Sequence, residues 1–180
     1  DIDCRPFEFL KFKRGVSFHD VVLEAQQQGF TEPDPKIDLS GIDVARKILI
    51  LARESGMEIE LEEIENEAFL PRECLDTKDN KSFFESLSKH SEHFEKMLEN
   101  AERQAAKMKY VAQLENRKAK VGIQLVKEGH DFYNLEGSDN IILFYTNRYK
   151  EQPLIVKGAG AGAEVTASGI FADIIRIGKQ

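Results

Sequence analysis

Apolar residues recur at helical spacing along the first part of the chain and at alternate positions further on. Phe18, Val21, Val22 and Ala25 fall three and four apart, which predicts a helix with one buried face. Ser17 followed by Asp20 reads as a capping box at its start, and Gly29 suits the position after its end. Residues 30–40 hold two prolines, three acids and a lysine and read as an ordered loop. Ser40 or Asp38 is placed to cap the next helix, which runs to about Gly56. Val44, Ala45, Ile48, Leu49, Ile50, Leu51 and Ala52 make that helix apolar on most sides, so burial is expected nearly all round.

In 57–64, Ile59 and Leu61 alternate with glutamates, the pattern of a half-exposed strand. Residues 71–80 read as a loop with one helical turn. From 81 to about 107, Phe83, Leu87, Phe94, Leu98, Ala101 and Ala105 predict an amphipathic helix or helix pair lying on a sheet. The period then becomes two. Residues 109–114 and 120–127 flank a polar turn at 115–119 and predict a hairpin. The apolar run 141–146 reads as a central strand. Residues 153–157 read as another strand, its proline at the start where a missing N–H is tolerated. A Gly-Ala repeat at 158–163 leads into a last amphipathic helix over 164–177. Helices first, strands later and few βαβ units point to an α+β fold. The expected sheet is mixed or largely antiparallel, with helices covering one face. Neither an internal repeat nor a low-complexity linker divides the chain, so residues 1–180 are expected to form one domain.

Composition narrows the functional classes. The 180 residues are 41% hydrophobic and 32% charged, ordinary for a globular domain. The formal net charge of −7 argues against nucleic acid or an anionic membrane as partner. No apolar run approaches the roughly 20 residues that span a bilayer. Two cysteines, Cys4 and Cys74, do not make a disulfide framework and read as reduced thiols of a cytoplasmic protein. The chain begins at Asp1, which suggests a segment of something longer.

The densest set of functional groups is Glu32, Asp34, Asp38, Asp43 and Lys47. Asp43 and Lys47 stand four apart and share a helix face. A lysine on a mostly apolar helix needs a partner or a wet cleft, and such a lysine suits proton transfer to a carbonyl or hydroxyl oxygen. The acids around it suit a cationic group on a substrate. On spacing alone, a structural ion pair at a helix start accounts for Asp43 and Lys47 better than catalysis does. The Gly158–Gly162 run lacks the Gly-Lys-Ser/Thr of a P-loop and the spacing of a dinucleotide fingerprint, and a tight strand-to-helix turn explains it as well as a ligand. His90 and His93, three apart among Ser, Glu and Lys, read as a solvated face; His19 and His130 read as incidental. The acids at 32, 34 and 38 do not have calcium-loop spacing, and no metal is expected.

The segment from Ala25 to Lys47 resembles the diagnostic motif of homoserine dehydrogenases. That pattern runs Ala, three residues, Gly, an apolar and a small residue, a short gap, Asp-Pro, two residues, Asp-Leu, one residue, Gly, one residue, Asp, three residues, Lys. Ala25, Gly29, Phe30, Thr31, Asp34-Pro35, Asp38-Leu39, Gly41, Asp43 and Lys47 fill every specified position. Asp139-Asn140-Ile141, Phe144-Tyr145-Thr146, Arg148-Tyr149, the 158–162 run and Val165-Thr166-Ala167 resemble the end of the same family, so the likeness covers about residues 15–177.

The resemblance implies interconversion of homoserine and aspartate semialdehyde with NADP or NAD. Lys47 would be the general acid/base, Glu32 and Asp43 would bind the substrate ammonium, Asp38 would line the site and Gly162 would touch the nicotinamide end of the cofactor. It also implies a homodimer through the sheet. The family's Rossmann domain, a second catalytic lysine and an alkali-cation site lie upstream of this stretch, and nothing carries over to residues 1–11. The final helix would return to that absent domain, leaving Ile170, Phe171, Ile174 and Ile175 as an apolar patch, and the isolated chain is expected to be inactive and to bind NADP poorly. In bacteria such enzymes are often fused behind an aspartokinase. The rival reading is a non-enzymatic dimerisation or regulatory module on the same scaffold. A third, the substrate domain of another amino-acid pathway reductase, leaves the motif unexplained.

Overall fold

A computed structural model describes residues 2–3, 12–29, 31–135, 139–159 and 163–179. In chain order the elements are β1 (Ile2–Asp3), α1 (Phe18–Gln27), α2 (Pro35–Leu39), α3 (Ile42–Glu54), a 3-10 turn at Leu61–Glu63, β2 (Glu65–Asn66), α4 (Arg72–Leu75), α5 (Asn80–Lys89), α6 (Ser91–Arg103), β3 (Ala106–Glu115), β4 (Lys118–Lys127), β5 (Asp139–Phe144), β6 (Leu154–Ala159) and α7 (Ala163–Gly178). The strands form one sheet in the order β2-β4-β3-β1-β5-β6. Every pairing is antiparallel except β2 with β4. This is the expected α+β class with a mixed, largely antiparallel sheet.

The period-two pattern sorts the sheet into two faces. Met108, Tyr110, Ala112 and Leu114 of β3 join Ala119, Val121 and Ile123 of β4 on the helix-covered face. They meet Phe18, Val21 and Val22 of α1, Val44, Ile48 and Ala52 of α3, Phe83 and Leu87 of α5 and Phe94 of α6. Phe18 is the hub. It stacks on Phe94 with ring centroids 4.4 Å apart and meets Phe12 and Phe69 edge-on. Burying such a ring contributes about 1.5–3 kcal/mol, with about 0.5–1.5 more for each well-oriented aromatic pair. On the opposite face Val111, Val126, Ile141 and Leu143 gather under Phe132 and Leu135.

The hairpin turn is tighter than expected. Asn116 and Arg117 both have positive φ, 49° and 62°, the geometry of a two-residue turn whose twist matches that of its strands. The helical stretch from 81 divides at His90 into α5 and α6. It ends at Arg103, because Ala105 turns left-handed (φ 49°) and launches β3 one residue later.

Several expectations fail for local reasons. Residues 57–64 are not a strand: Glu60 and Glu63 form a reciprocal capping box around the 3-10 turn, and Ile59 and Ile64 reach the core from either side of it. The stretch 30–40 contains α2, because Asp34 caps the Lys36 N–H at 3.0 Å and Pro35 occupies the first helical position, where its missing donor costs nothing. Ser17 sits at the α1 N-cap without a side-chain capping bond, and Asp20 pairs with His19 instead. The N-cap of α3 is Gly41, not Asp38 or Ser40. Nor is α3 buried all round: Ile50 is 61% exposed, and the buried stripe is Val44, Ala45, Ile48 and Ala52.

At the far edge, β6 pairs among the described residues only with β5, and its residues are exposed. The described residues of α7 are likewise exposed, with Ile170, Phe171, Ile174 and Ile175 uncovered, as the family resemblance implied. No helix among the described residues is long and apolar enough to cross a membrane.

Candidate functional site

Glu32, Asp38, Asp43 and Lys47 come together where α2 meets α3. The turn between these helices is only Ser40-Gly41, and Gly41 adopts φ 77°, a conformation that glycine reaches at little cost. That sharp reversal puts Asp38, near the end of α2, within electrostatic reach of Asp43 in the first turn of α3. The Glu32 N–H donates to Asp38 Oδ2 at 2.9 Å, which closes the loop on itself and brings the first acid to the other two.

The electrostatics record that crowding. Partial burial, followed by the neighbouring Glu32 and Asp43 carboxylates, pushes the Asp38 carboxyl above the ordinary carboxylate value, while the hydrogen bond from Glu32 N–H pulls the other way. Lys47 Nζ lies 2.8 Å from Asp43 Oδ2 across one helical turn. Lys47 thus has the partner and the access to water that a lysine on this helix was expected to need: its side chain is 39% exposed and that of Asp43 58% exposed. The site is therefore a wet, open mouth rather than a sealed pocket. A cation entering it would find three carboxylates within reach, and Lys47 stands on the same rim.

The acid-bearing loop is held from outside by groups that spacing did not reveal. Asn80 Nδ2 and Gln26 Nε2 both donate to the Pro33 carbonyl, at 2.7 and 3.3 Å. Lys36 Nζ donates to the Thr77 carbonyl at 2.6 Å and lies 3.7 Å from Asp34 Oδ2. Asp34 thus works as a helix cap and partner of Lys36. At the other end Asn66 Nδ2 donates to the Ser40 carbonyl at 2.8 Å, and Tyr110 Oη donates to Asn66 Oδ1 at 3.2 Å. Burial pushes the Tyr110 hydroxyl up to about 12, so it remains a neutral donor at physiological pH. The left-handed Gly41 was the available sequence signal for this junction; its partners lie too far along the chain to be read from spacing.

The remaining candidates sort differently. Gly162 and Cys4 lie outside the described residues. Gly158 stands at the end of β6 with nothing within 4 Å of where a Cβ would project. His90 and His93 are not a simple solvated face. His90 Nδ1 lies 2.9 Å from Ser86 O and 3.8 Å from Cys74 Sγ, while His93 Nε2 lies 2.9 Å from Phe69 O, so both tie the helix pair to the 69–75 segment. Among the described residues no group of three or more His, Cys, Asp or Glu side chains is arranged to hold a metal ion.

Fold and site together define an α+β module that presents a carboxylate and lysine set at a helix junction beside a six-stranded sheet. A family model described as homoserine dehydrogenase matches residues 7–175, and the chain belongs to that family. It is 48% identical over 171 residues to a chloroplastic bifunctional aspartokinase/homoserine dehydrogenase 1 of Arabidopsis thaliana, covering 94% of this chain and 19% of the relative. It is 43% identical over 170 residues to the bifunctional enzyme of Haemophilus influenzae, covering 94% and 21%. The chain thus spans about a fifth of the length of these curated relatives. Among solved structures, a Candida auris protein of unknown function superposes with TM-score 0.88 at 37% identity, covering 97% of this chain and 51% of that one. The Staphylococcus aureus homoserine dehydrogenase at pH 7.0 superposes with TM-score 0.71 at 23% identity, covering 96% and 40%, a likeness of fold.

Proposed function

We propose that residues 1–180 form the substrate-binding, catalytic domain of an NAD(P)-dependent homoserine dehydrogenase, interconverting L-homoserine and L-aspartate 4-semialdehyde. The observation that carries this reading is the convergence of Glu32, Asp38, Asp43 and Lys47 on one partly exposed helix junction. Substrate and product are both 2-amino acids with an ammonium group, and a pocket rich in carboxylates suits that cation. Asp43 keeps acceptor capacity beyond its bond to Lys47, since a carboxylate offers about four lone-pair sites. Glu32 and Asp43 therefore hold the ammonium, and Asp38 lines the wall between them.

Lys47 handles the proton. In reduction its ammonium gives a proton to the aldehyde oxygen as the carbonyl becomes an alcohol; in oxidation its amine takes the hydroxyl proton back. A bound nicotinamide would supply the hydride chemistry at the carbon whose oxygen Lys47 protonates or deprotonates. The end of β6 supports the approach of that group: residues 157–159 are exposed, and Gly158 leaves open space beside the backbone. Gly162 is the residue assigned to the nicotinamide end. Most of the cofactor site is assigned to a Rossmann domain in a longer chain, and the exposed apolar face of α7 suits return packing against it. Homodimerisation through the sheet, a reduced cytoplasm-like compartment and a role in amino-acid biosynthesis complete the reading.

The test joins this chain to the dinucleotide-binding domain of a family member and follows nucleotide reduction with homoserine. Activity is expected. Lys47→Met should lower kcat by about 10²–10⁴-fold with a modest change in KM, the usual worth of a positioned proton donor. Near-normal kcat in Lys47→Met would refute the role given to that side chain, and absence of turnover in the folded wild-type enzyme would refute the activity.

A further inference from the structure

The α2–α3 junction is braced by two residues outside the proposed substrate-binding set. Asn66 ends β2, which pairs with β4 through Glu65↔Lys120 and Asn66↔Val121. Its amide nitrogen donates to the Ser40 carbonyl at 2.8 Å, and its amide oxygen accepts from Tyr110 at 3.2 Å. Tyr110 is 1% exposed and stands in the middle of β3. It also fills the space beside Gly41: a Cβ there would lie 2.8 Å from Tyr110 Cζ and 2.9 Å from Asn66 Oδ1. Ser40-Gly41 is the whole link between the helix that carries Asp38 and the helix that carries Asp43 and Lys47. The carbonyl gripped by Asn66 is therefore at the pivot of the acid set.

We propose that Asn66, backed by Tyr110, is a positioning residue that fixes the angle between α2 and α3 and so sets the spacing of Asp38 and Asp43 for the substrate ammonium. The proposal rests on the functional reading above. Its physics is geometric. Two helices joined by two residues rotate about those residues unless something rigid holds the link, and here the link is pinned to the sheet. The Tyr110–Asn66–Ser40 chain is anchored in the core at Tyr110, while Asn66 itself is exposed and its bond to Ser40 meets solvent, so the brace works through the fixed positions of its partners and not through exclusion of water. Freed from it, the junction gains rotational latitude, and the acids no longer meet one cation together.

The experiment uses the joined enzyme with three substitutions. Asn66→Ala removes both bonds. Asn66→Asp keeps an acceptor for Tyr110 and loses the donor to Ser40. Tyr110→Phe keeps the packed ring and loses only the hydroxyl. Asn66→Ala and Asn66→Asp are expected to raise KM for homoserine about two- to fivefold, the scale of one lost solvent-exposed hydrogen bond, with kcat at saturation changed less than about twofold. Tyr110→Phe is expected to move KM the same way by less. A purely structural role would lower the folded fraction, and hence apparent kcat, with KM unchanged; that result overturns the proposal. Crystal structures of the wild type and Asn66→Ala decide the matter separately from turnover. A widened or variable Asp38–Asp43 separation supports positioning even in an enzyme that does not oxidise homoserine, and an unmoved junction refutes it even in one that does.

Discussion

Replacing Gly41 by alanine tests the junction without altering any charge. Two costs combine. The first is backbone: Gly41 has φ 77°, and an L-residue held in the left-handed region loses about 1–2 kcal/mol. The second is steric, because the new methyl would collide with Tyr110 Oη and stand 2.8 Å from Tyr110 Cζ and 2.9 Å from Asn66 Oδ1, all inside normal contact. Tyr110 sits at the centre of β3 with almost no exposure, so it has little room to give. Overpacking of this kind costs about 1–3 kcal/mol, for a total of about 2–5. Gly29 provides the internal control: its φ is 72° and nothing lies within 4 Å of its added Cβ, so Gly29→Ala should cost only the backbone share of about 1–2 kcal/mol. Urea unfolding of the three proteins, with midpoints compared at equal m, measures the difference. Gly41→Ala should exceed Gly29→Ala by at least about 1 kcal/mol. Equal losses would mean that the Tyr110 contact carries no energy and that the tight junction is not what holds the acids together.

Asp43→Asn should barely change stability, by less than about 0.5 kcal/mol, because the pair it breaks is an exposed i,i+4 bridge; the same change should raise KM for homoserine, and a large stability loss with unchanged KM would make the pair structural after all. Asp38 gives a pH signature. Burial first, then Glu32 and Asp43, raise its folded pKa above the ordinary value, so the folded state holds that proton to higher pH than the unfolded state does. Stability is therefore lost as pH rises from the ordinary carboxylate range through the folded pKa, and it stays lower above that. Asp38→Asn should accordingly be the more stable protein at neutral pH, with the advantage gone well below the carboxylate range, while substrate affinity drops; thermal melts at acid and neutral pH that shift in parallel would contradict this. Lys47→Met, with its loss mainly in kcat, completes the set.

Amino-acid order alone determined what depends on neighbours a few positions apart. Phe18, Val21, Val22 and Ala25 define the buried stripe of α1 because helix geometry turns a spacing of three and four into a face. The same rule put Asp43 and Lys47 side by side, and alternation gave β3 and β4 their two faces. Local competition was harder to read. Pro35 looked like a breaker and is a helix start, and the glutamates around Ile59 and Leu61 mimic a strand while forming a cap.

Tertiary structure decided everything that rests on contacts between distant positions. It inserted β1 between β3 and β5, left Ile50 and α7 uncovered, and placed Asn66 against Ser40 across 26 positions and Tyr110 against Asn66 across 44. No periodicity encodes such pairings, because they form only when packing of the sheet against the helices brings the strands to the junction. The motif from Ala25 to Lys47 places the proposed acids and lysine around one helix junction by local spacing; the sheet behind it anchors the Ser40-Gly41 turn through residues that no local spacing reaches.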